Sequence, residues 1–300
     1  MPDFLHRTYD LHQPELASAF DQVSFWSARF GALLFKHLTL RPHLTILDLA
    51  CGTGFPLFEL AQVYGTSCQV TGIDLWKEAV ERARAKLKVY QLPNVKLLEA
   101  DAAHLPFQEH EFDLIVSHLG VNNFADPEAV LTECFRVAKP RASFVLTTNP
   151  SGHMRELYAV FREVLLDLHK PMYLERLRRE EEHRGTKESL SGDLQAAGFH
   201  IAKIQEEAFQ LRYVDGSALF SHVLTQVGFL DGWRQVVDPE DEEQVFALLE
   251  TRLNQMAKAR GELCMTVPML YLEGEKLEWV PGSDLPDQRG SDVLHKRFEL

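Results

Sequence analysis

The stretch 45–61, TILDLACGTGFPLFELA, decides how the rest of the chain is read. Ile46, Leu47 and Leu49 read as a short buried strand, the small residues Ala50, Gly52 and Gly54 follow at alternate positions, and apolar periodicity resumes at Leu57. This is a strand, a tight turn and a helix. Glycine serves where the backbone takes positive φ or approaches a ligand with no Cβ between them, and the start of a helix presents free N–H groups. The turn is therefore expected to hold a nucleotide-like ligand. Spacing narrows the choice. The dinucleotide fingerprint G-x-G-x-x-G needs a third glycine, and Leu57 stands at that position after Gly52-Thr53-Gly54. An NAD-dependent oxidoreductase is the weaker reading.

The acid Asp48, two residues ahead of Ala50-x-Gly52-x-Gly54, makes the stretch resemble the first motif, D/E-x-G-x-G-x-G, of class I S-adenosylmethionine-dependent methyltransferases. Ala50 replaces the first glycine. Further segments carry the same resemblance, which is closest to small-molecule enzymes of the ubiquinone/menaquinone methyltransferase-like family. A second strand at 69–74 ends in Asp74, twenty positions after Gly54, where a carboxylate can accept ribose hydroxyls, with Leu75 placed to lie against adenine. The alternative makes Asp74 the N-cap of a helix over 77–90. A third strand at 95–99 precedes ADAAHLPF (100–107), similar to the family's G-D-A-x-x-L-P-F, which implies adenine contacts from Asp101 and the Ala102 backbone. A fourth strand at 112–117 puts Ser117 and His118 near the methionine part. The run from Asp126-Pro127 to Pro140 resembles the family's D-P-x-x-x-L-x-E-x-x-R-V-L-K-P-G-G, with Arg141-Ala142 in place of the two glycines, and a fifth strand follows at 143–148.

The expected fold is thus a Rossmann-like α/β sheet of seven mostly parallel strands with the last antiparallel, plus helical lid insertions. The expected organisation is an N-terminal helical cap at 1–44, a binding core at 45–150, the rest of the sheet at 151–275 with lids at about 153–184 and 208–261, and a polar tail at 276–300. The sixth and seventh strands are placed at 200–206 and 265–272.

The resemblance implies S-adenosyl-L-methionine as cofactor and S-adenosyl-L-homocysteine as product, bound through Asp48, Ala50, Cys51, Gly52, Gly54, Asp74, Leu75, Asp101, Ala102 and Ser117. Gly52→Val is expected to block the ligand while sparing the fold. Methyl transfer needs chiefly the alignment of two reactants, and a base only where the acceptor must lose a proton. His118 is the candidate base because imidazole titrates near neutral pH, and Tyr9, in a Tyr9-Asp10 pair similar to one ahead of the family's first helix, is the second catalytic candidate.

Composition bounds the partners. A net charge of −13 argues against a chain that holds nucleic-acid backbones by itself. The stretch after His118 lacks the N/D-P-P-Y/F motif used on DNA amines. Four scattered cysteines and thirteen histidines show no metal-ligand spacing, so no metal is expected. There is no signal core and no membrane-spanning run, and a cytoplasmic protein is expected. Phe209, Tyr213, Leu219, Phe220, Val223, Leu224, Phe229, Leu230 and Trp233 stand in a segment the sheet does not need for closure. With Phe25, Trp26, Met154, Leu157 and Phe161 they are expected to roof an apolar pocket for a small-molecule methyl acceptor. A binding module without catalysis, docking a protein partner through the insertion, is the competing reading from another class. Oligomeric state is not legible.

Overall fold

The computed structural model describes residues 3–278 apart from 8, 11 and 21–23. Helices α1 (Pro14–Phe20) and α2 (Ser24–His37) precede β1 (Thr45–Leu49), α3 (Leu57–Tyr64), β2 (Gln69–Asp74), α4 (Lys77–Tyr90), β3 (Val95–Glu99), β4 (Phe112–His118), α5 (Pro127–Val137) and β5 (Ala138–Thr148). Then come α6 (Arg155–Asp167), α7 (Leu174–Glu182), α8 (Lys187–Ala196), β6 (His200–Tyr213), the short helices α9 (Gly216–Ser221), α10 (Val223–Gly228) and α11 (Leu230–Arg234), the long α12 (Pro239–Arg260), and β7 (Leu263–Glu275).

The strands form one sheet in the order β3-β2-β1-β4-β5-β7-β6, and β7 runs antiparallel to both its neighbours. Successive strands grow to one side from β1 and to the other from β4, so a crevice opens beyond the carboxyl ends of these two strands. Alternation along each strand sorts the core. Ile46, Val116 and Val145 face a layer containing Phe30 and Leu34 of α2, Leu57 of α3 and Leu157 of α6, whereas Leu47, Leu49, Ile115 and Leu146 face Val130 of α5 and Leu194 of α8. Helix ends follow local chemistry: Asp126 Oδ1 accepts the Ala129 N–H at 3.0 Å ahead of Pro127, and Thr186 with Ser189 closes a capping box on α8.

Several boundaries differ from expectation. β5 starts at Ala138, and Arg141 itself takes φ 68 where the family pattern has glycine. The lid expected at about 153–184 is two helices, broken near His169, φ 57, between α6 and α7. β6 runs on to Tyr213, so Phe209 and Tyr213 belong to a strand rather than to the insertion. Past the pair Thr148–Leu270, where β5 stops, β7 pairs with β6 alone and the two form a ribbon that carries α9 to α12. Lys276 does not begin a free tail: its Nζ donates to the carbonyls of Phe135 at 2.6 Å and Ala138 at 2.9 Å. The expected tail otherwise lies, from 279, outside the described residues. No helix among the described residues is long and apolar enough to cross a membrane.

Candidate active site

The turn after β1 is built on left-handed backbone. Ala50 has φ 56, Gly52 φ 52 and Gly54 φ 106, so the alanine adopts the conformation that glycine would have taken more cheaply. The turn is tied to β2 by the Cys51 N–H, which donates to the Ile73 carbonyl at 3.0 Å. Asp74 ties it a second time. Its Oδ2 accepts the Gly52 N–H at 2.7 Å, and its Oδ1 accepts the Trp76 N–H at 2.8 Å. Asp74 is therefore not the N-cap of α4; Trp76 holds that position with no side-chain cap. An ionised carboxylate has about four acceptor sites, so capacity remains for a ligand.

Beyond the ends of β1, β2, β3 and β4 lies a cavity of about 560 Å³. Ala50, Asp74, Leu75 and Trp76 line one side, Ala100, Asp101, Ala102, Ala103 and His104 a second, and Leu119, Gly120, Asn123, Phe124 and the first turn of α5 a third. Asp101 accepts the Ala103 N–H at 2.9 Å, and that bond, with His104 beside it, holds its carboxyl below the usual range. Of the sequence-derived cofactor set, the structure brings Ala50, Asp74, Leu75, Asp101 and Ala102 together on this one cavity.

The other residues are set back from it. Asp48 shares a face with Ile46 and is fully buried beneath α3. Neither of its oxygens makes a hydrogen bond of normal geometry, and burial, then the charge of Asp74, pushes its carboxyl well up. Cys51 is buried, Gly52 and Gly54 shape the turn from behind, and Ser117 points into the opposite core with its hydroxyl unpartnered. Phe124 and Asn123 were missed in the sequence because nothing in their local pattern marks them; only the reversal between β1 and β4 places the loop after β4 on the crevice.

His118 is corrected. It alternates onto the α2 and α3 face, where its ring meets Phe55 edge-on at 5.3 Å and its Nδ1 shares a 2.8 Å hydrogen bond with Thr147 Oγ1. It lines neither this cavity nor its neighbour. Burial pushes its pKa down to about 3, which leaves a neutral, weakly basic imidazole. As the pH falls from 6.5 to about 3 the unfolded chain takes up a proton that folded His118 refuses, so this group removes stability on acidification. His118→Asn is expected to flatten the acid limb of a stability-against-pH curve by up to about 1.4 kcal/mol per pH unit, measured by urea unfolding at several pH values. Tyr9 is also set apart from the cavities: its hydroxyl donates to Gln226 Oε1 at 2.5 Å and fastens the N-terminal segment to α10.

A second cavity, of about 320 Å³, shares Leu119 and Asn123 with the first. Trp26 and Ser27 of α2, Leu224 and Gly228 of α10, and Phe229 cover it, and Asn122, Asn149, His183 and Arg184 supply its polar side. The roof is narrower than expected. Leu219, Phe220 and Trp233 are buried in the core layer that continues from α2 and α6, where Phe220 stacks on Phe4 at 4.4 Å and packs against Phe246 at 6.1 Å. Met154, Leu157 and Phe161 are fully buried, and Phe25 is exposed. Trp26 and Phe229 meet edge-on at 5.5 Å over the cavity.

This sheet order, with its small-residue turn and a cavity at the β1–β4 reversal, defines a Rossmann-like methyltransferase fold. Residues 40–188 match the methyltransferase-domain family, and through them the chain belongs to the class I methyltransferases. The chain is 36% identical over 135 residues to a demethylmenaquinone methyltransferase of Lactococcus lactis subsp. lactis, covering 44% of this chain and 52% of that protein. It is 32% identical over 133 residues to a 2-phytyl-1,4-naphtoquinone methyltransferase of Nostoc sp., covering 42% and 58%. The chain spans about half the length of the curated relatives it matches. Among solved structures, the YcgJ protein of Bacillus subtilis superposes with a TM-score of 0.56 at 17% identity, over 84% of this chain and all 100% of that one. A putative methyltransferase of Bacillus halodurans superposes with a TM-score of 0.55 at 17% identity, over 82% and 98%. Both are likenesses of fold.

Proposed function

We propose that the protein transfers a methyl group from S-adenosylmethionine to a small, largely apolar molecule. The observation that carries this reading is the pair of adjoining cavities that share Leu119 and Asn123: one at the strand ends with a carboxylate on its wall, the other lined by Trp26 and Phe229. The first fits an adenosyl ligand. Asp74 keeps acceptor sites for ribose hydroxyls, while Leu75, Ala100 and Val130 offer apolar surface to a flat ring. S-adenosylmethionine, when bound, supplies a methyl group already activated on a sulfonium. The chain's own residues hold and orient the two reactants and keep water out. His118, neutral and sealed, is no base here. His183 lines the acceptor cavity, and with its Nδ1 engaged by the Glu180 carbonyl at 2.6 Å its Nε2 is left to receive a proton where an acceptor must lose one. The relatives' quinone-type names favour an acceptor with an apolar body.

Calorimetric titration with S-adenosylhomocysteine, followed by a screen for S-adenosylhomocysteine release over lipophilic and polar acceptors, tests the proposal. Micromolar binding and turnover on small molecules are expected. Binding of NADH instead, or turnover confined to protein or nucleic acid, overturns it.

A further inference from the structure

The second cavity holds a feature that an apolar acceptor does not account for. Arg184, between α7 and α8, is only 6% exposed and lines the cavity, yet its Nε and Nη1 have no hydrogen-bond partner. Its guanidinium lies over the Phe229 ring at 5.6 Å and interacts with the Tyr158 hydroxyl, which also accepts from Trp233 Nε1 at 3.2 Å; Nε and Nη1 stay free of these contacts. Among the described residues no carboxylate stands within 4.0 Å of Arg184; Glu180 feels its charge from farther off, across Tyr158, and makes its own close contact with His183 at 3.5 Å. His153, close enough to feel the charge of Arg184, is buried, uncharged and without a partner at either ring nitrogen. Buried donors left without acceptors in the folded state are costly, and a guanidinium fork with two free donors matches a planar carboxylate. Asn149 adds a donor: its Oδ1 accepts from Asn122 at 3.1 Å, which leaves its own amide N–H groups for another acceptor.

We infer that the methyl acceptor carries a carboxylate, held by Arg184 with its apolar body against Trp26, Leu224 and Phe229. The inference rests on the second cavity being the acceptor site, and it deepens that reading by naming the acceptor's chemistry. The carboxylate supplies acceptors for the two donors that the protein leaves free, beside the apolar surface of Trp26 and Phe229. An uncharged analogue would leave the guanidinium buried and unpaired, so the site discriminates against it.

The probes are salicylate, 2-naphthoate and hexanoate, each paired with its neutral primary amide. Each is titrated into the full chain by calorimetry with and without saturating S-adenosylhomocysteine. At least one carboxylate is expected to bind ten-fold or more tightly than its amide. Arg184→Gln is expected to abolish that preference with S-adenosylhomocysteine affinity unchanged within two-fold, and Arg184→Lys to keep part of it. The ligand-free Arg184→Gln protein is expected to melt at or above the wild-type temperature, because an unpaired buried charge is gone, whereas a purely structural arginine would lower it. Equal binding of carboxylates and amides to the wild type, or a preference that survives Arg184→Gln, overturns the inference. If the Gln variant does not fold, the wild-type comparison and the Lys variant decide. Arg184-dependent carboxylate binding without S-adenosylhomocysteine binding would leave the anion site standing and refute the cofactor reading. Cofactor binding without a carboxylate preference would do the reverse.

Discussion

Asp74→Ala is expected to weaken S-adenosylhomocysteine binding by one to two orders of magnitude and to destabilise the fold at the same time. Each hydrogen bond from a ribose hydroxyl to the carboxylate contributes about 1.5–3 kcal/mol at most, and every 1.4 kcal/mol is about ten-fold in affinity. The second effect follows from the two backbone N–H groups that Asp74 accepts, from Gly52 and Trp76. Losing both partners leaves two donors at the base of the cavity unsatisfied, at a cost of about 1–3 kcal/mol. Sequence reasoning sets a ribose role against a helix-capping role as alternatives that one variant would separate. The structure joins cavity wall and turn anchor in one side chain, so calorimetry and urea unfolding on Asp74→Ala should both register a loss. An unchanged affinity with a lowered stability would confine Asp74 to the turn. Asp74→Asn should fall between, because one amide oxygen replaces two carboxylate oxygens and its N–H₂ group confronts a donor.

Gly54→Val is expected to destabilise by more than about 2 kcal/mol, since a branched side chain at strongly positive φ combines backbone strain with overpacking. Gly54 has φ 106, and a Cβ there would lie 2.1 Å from the Phe58 ring. That ring, on the first turn of α3, is buried and meets Tyr90 of α4 edge-on at 5.4 Å, so relief would require it to be driven into that contact. Gly52 differs. Its φ is 52 but no atom stands within 4 Å of its would-be Cβ, so Gly52→Ala should cost only about 1–2 kcal/mol, the ordinary cost of a left-handed alanine. The neighbouring Ala50 already sits at φ 56. Gly52→Val carries the added strain of a β-branched residue, and the expectation that it would spare the fold is therefore withdrawn. Urea unfolding of the three variants, each paired with S-adenosylhomocysteine titration, should rank stability Gly52→Ala above Gly52→Val above Gly54→Val. Equal stabilities would show that the turn tolerates side chains that this packing forbids.

Alternation along a strand was available in the sequence and settles several side chains that motif reading left open. Ile46 and Leu49 are both apolar and both belong in a core, so Asp48 between Leu47 and Leu49 must share the face of Ile46; with helices on both faces of the sheet, that position is buried. The same count puts His118 on the face of Val116, under Phe55 and away from the crevice. A motif records which residue types recur together, whereas period two records which way each one points.

What the sequence by itself determined is the local architecture of the binding half: the turn at Ala50 to Gly54, the strands ending at Asp74 and near Asp101, and the helix start at Asp126-Pro127. In each of these the conformation is dictated by residues a few positions apart, through steric limits on φ, hydrophobic period and capping chemistry. What only the tertiary structure decided is the second cavity. Trp26, Phe229 and Arg184 come from α2, from the junction of α10 and α11, and from the link between α7 and α8, far apart in the chain and with no periodic relation. The sequence shows their apolar surface and their charge, but not which residue is spent on the core, as Phe220 and Trp233 are, and which faces a cavity. That depends on how the β6–β7 ribbon carries its helices back over the strand ends. Arg184 in particular reads, at the end of the charged run LERLRREEEHR, as one more solvated residue. Packing against Phe229 and Tyr158 removes it from water, and an unpaired charge in that place acquires its meaning from what must come to meet it.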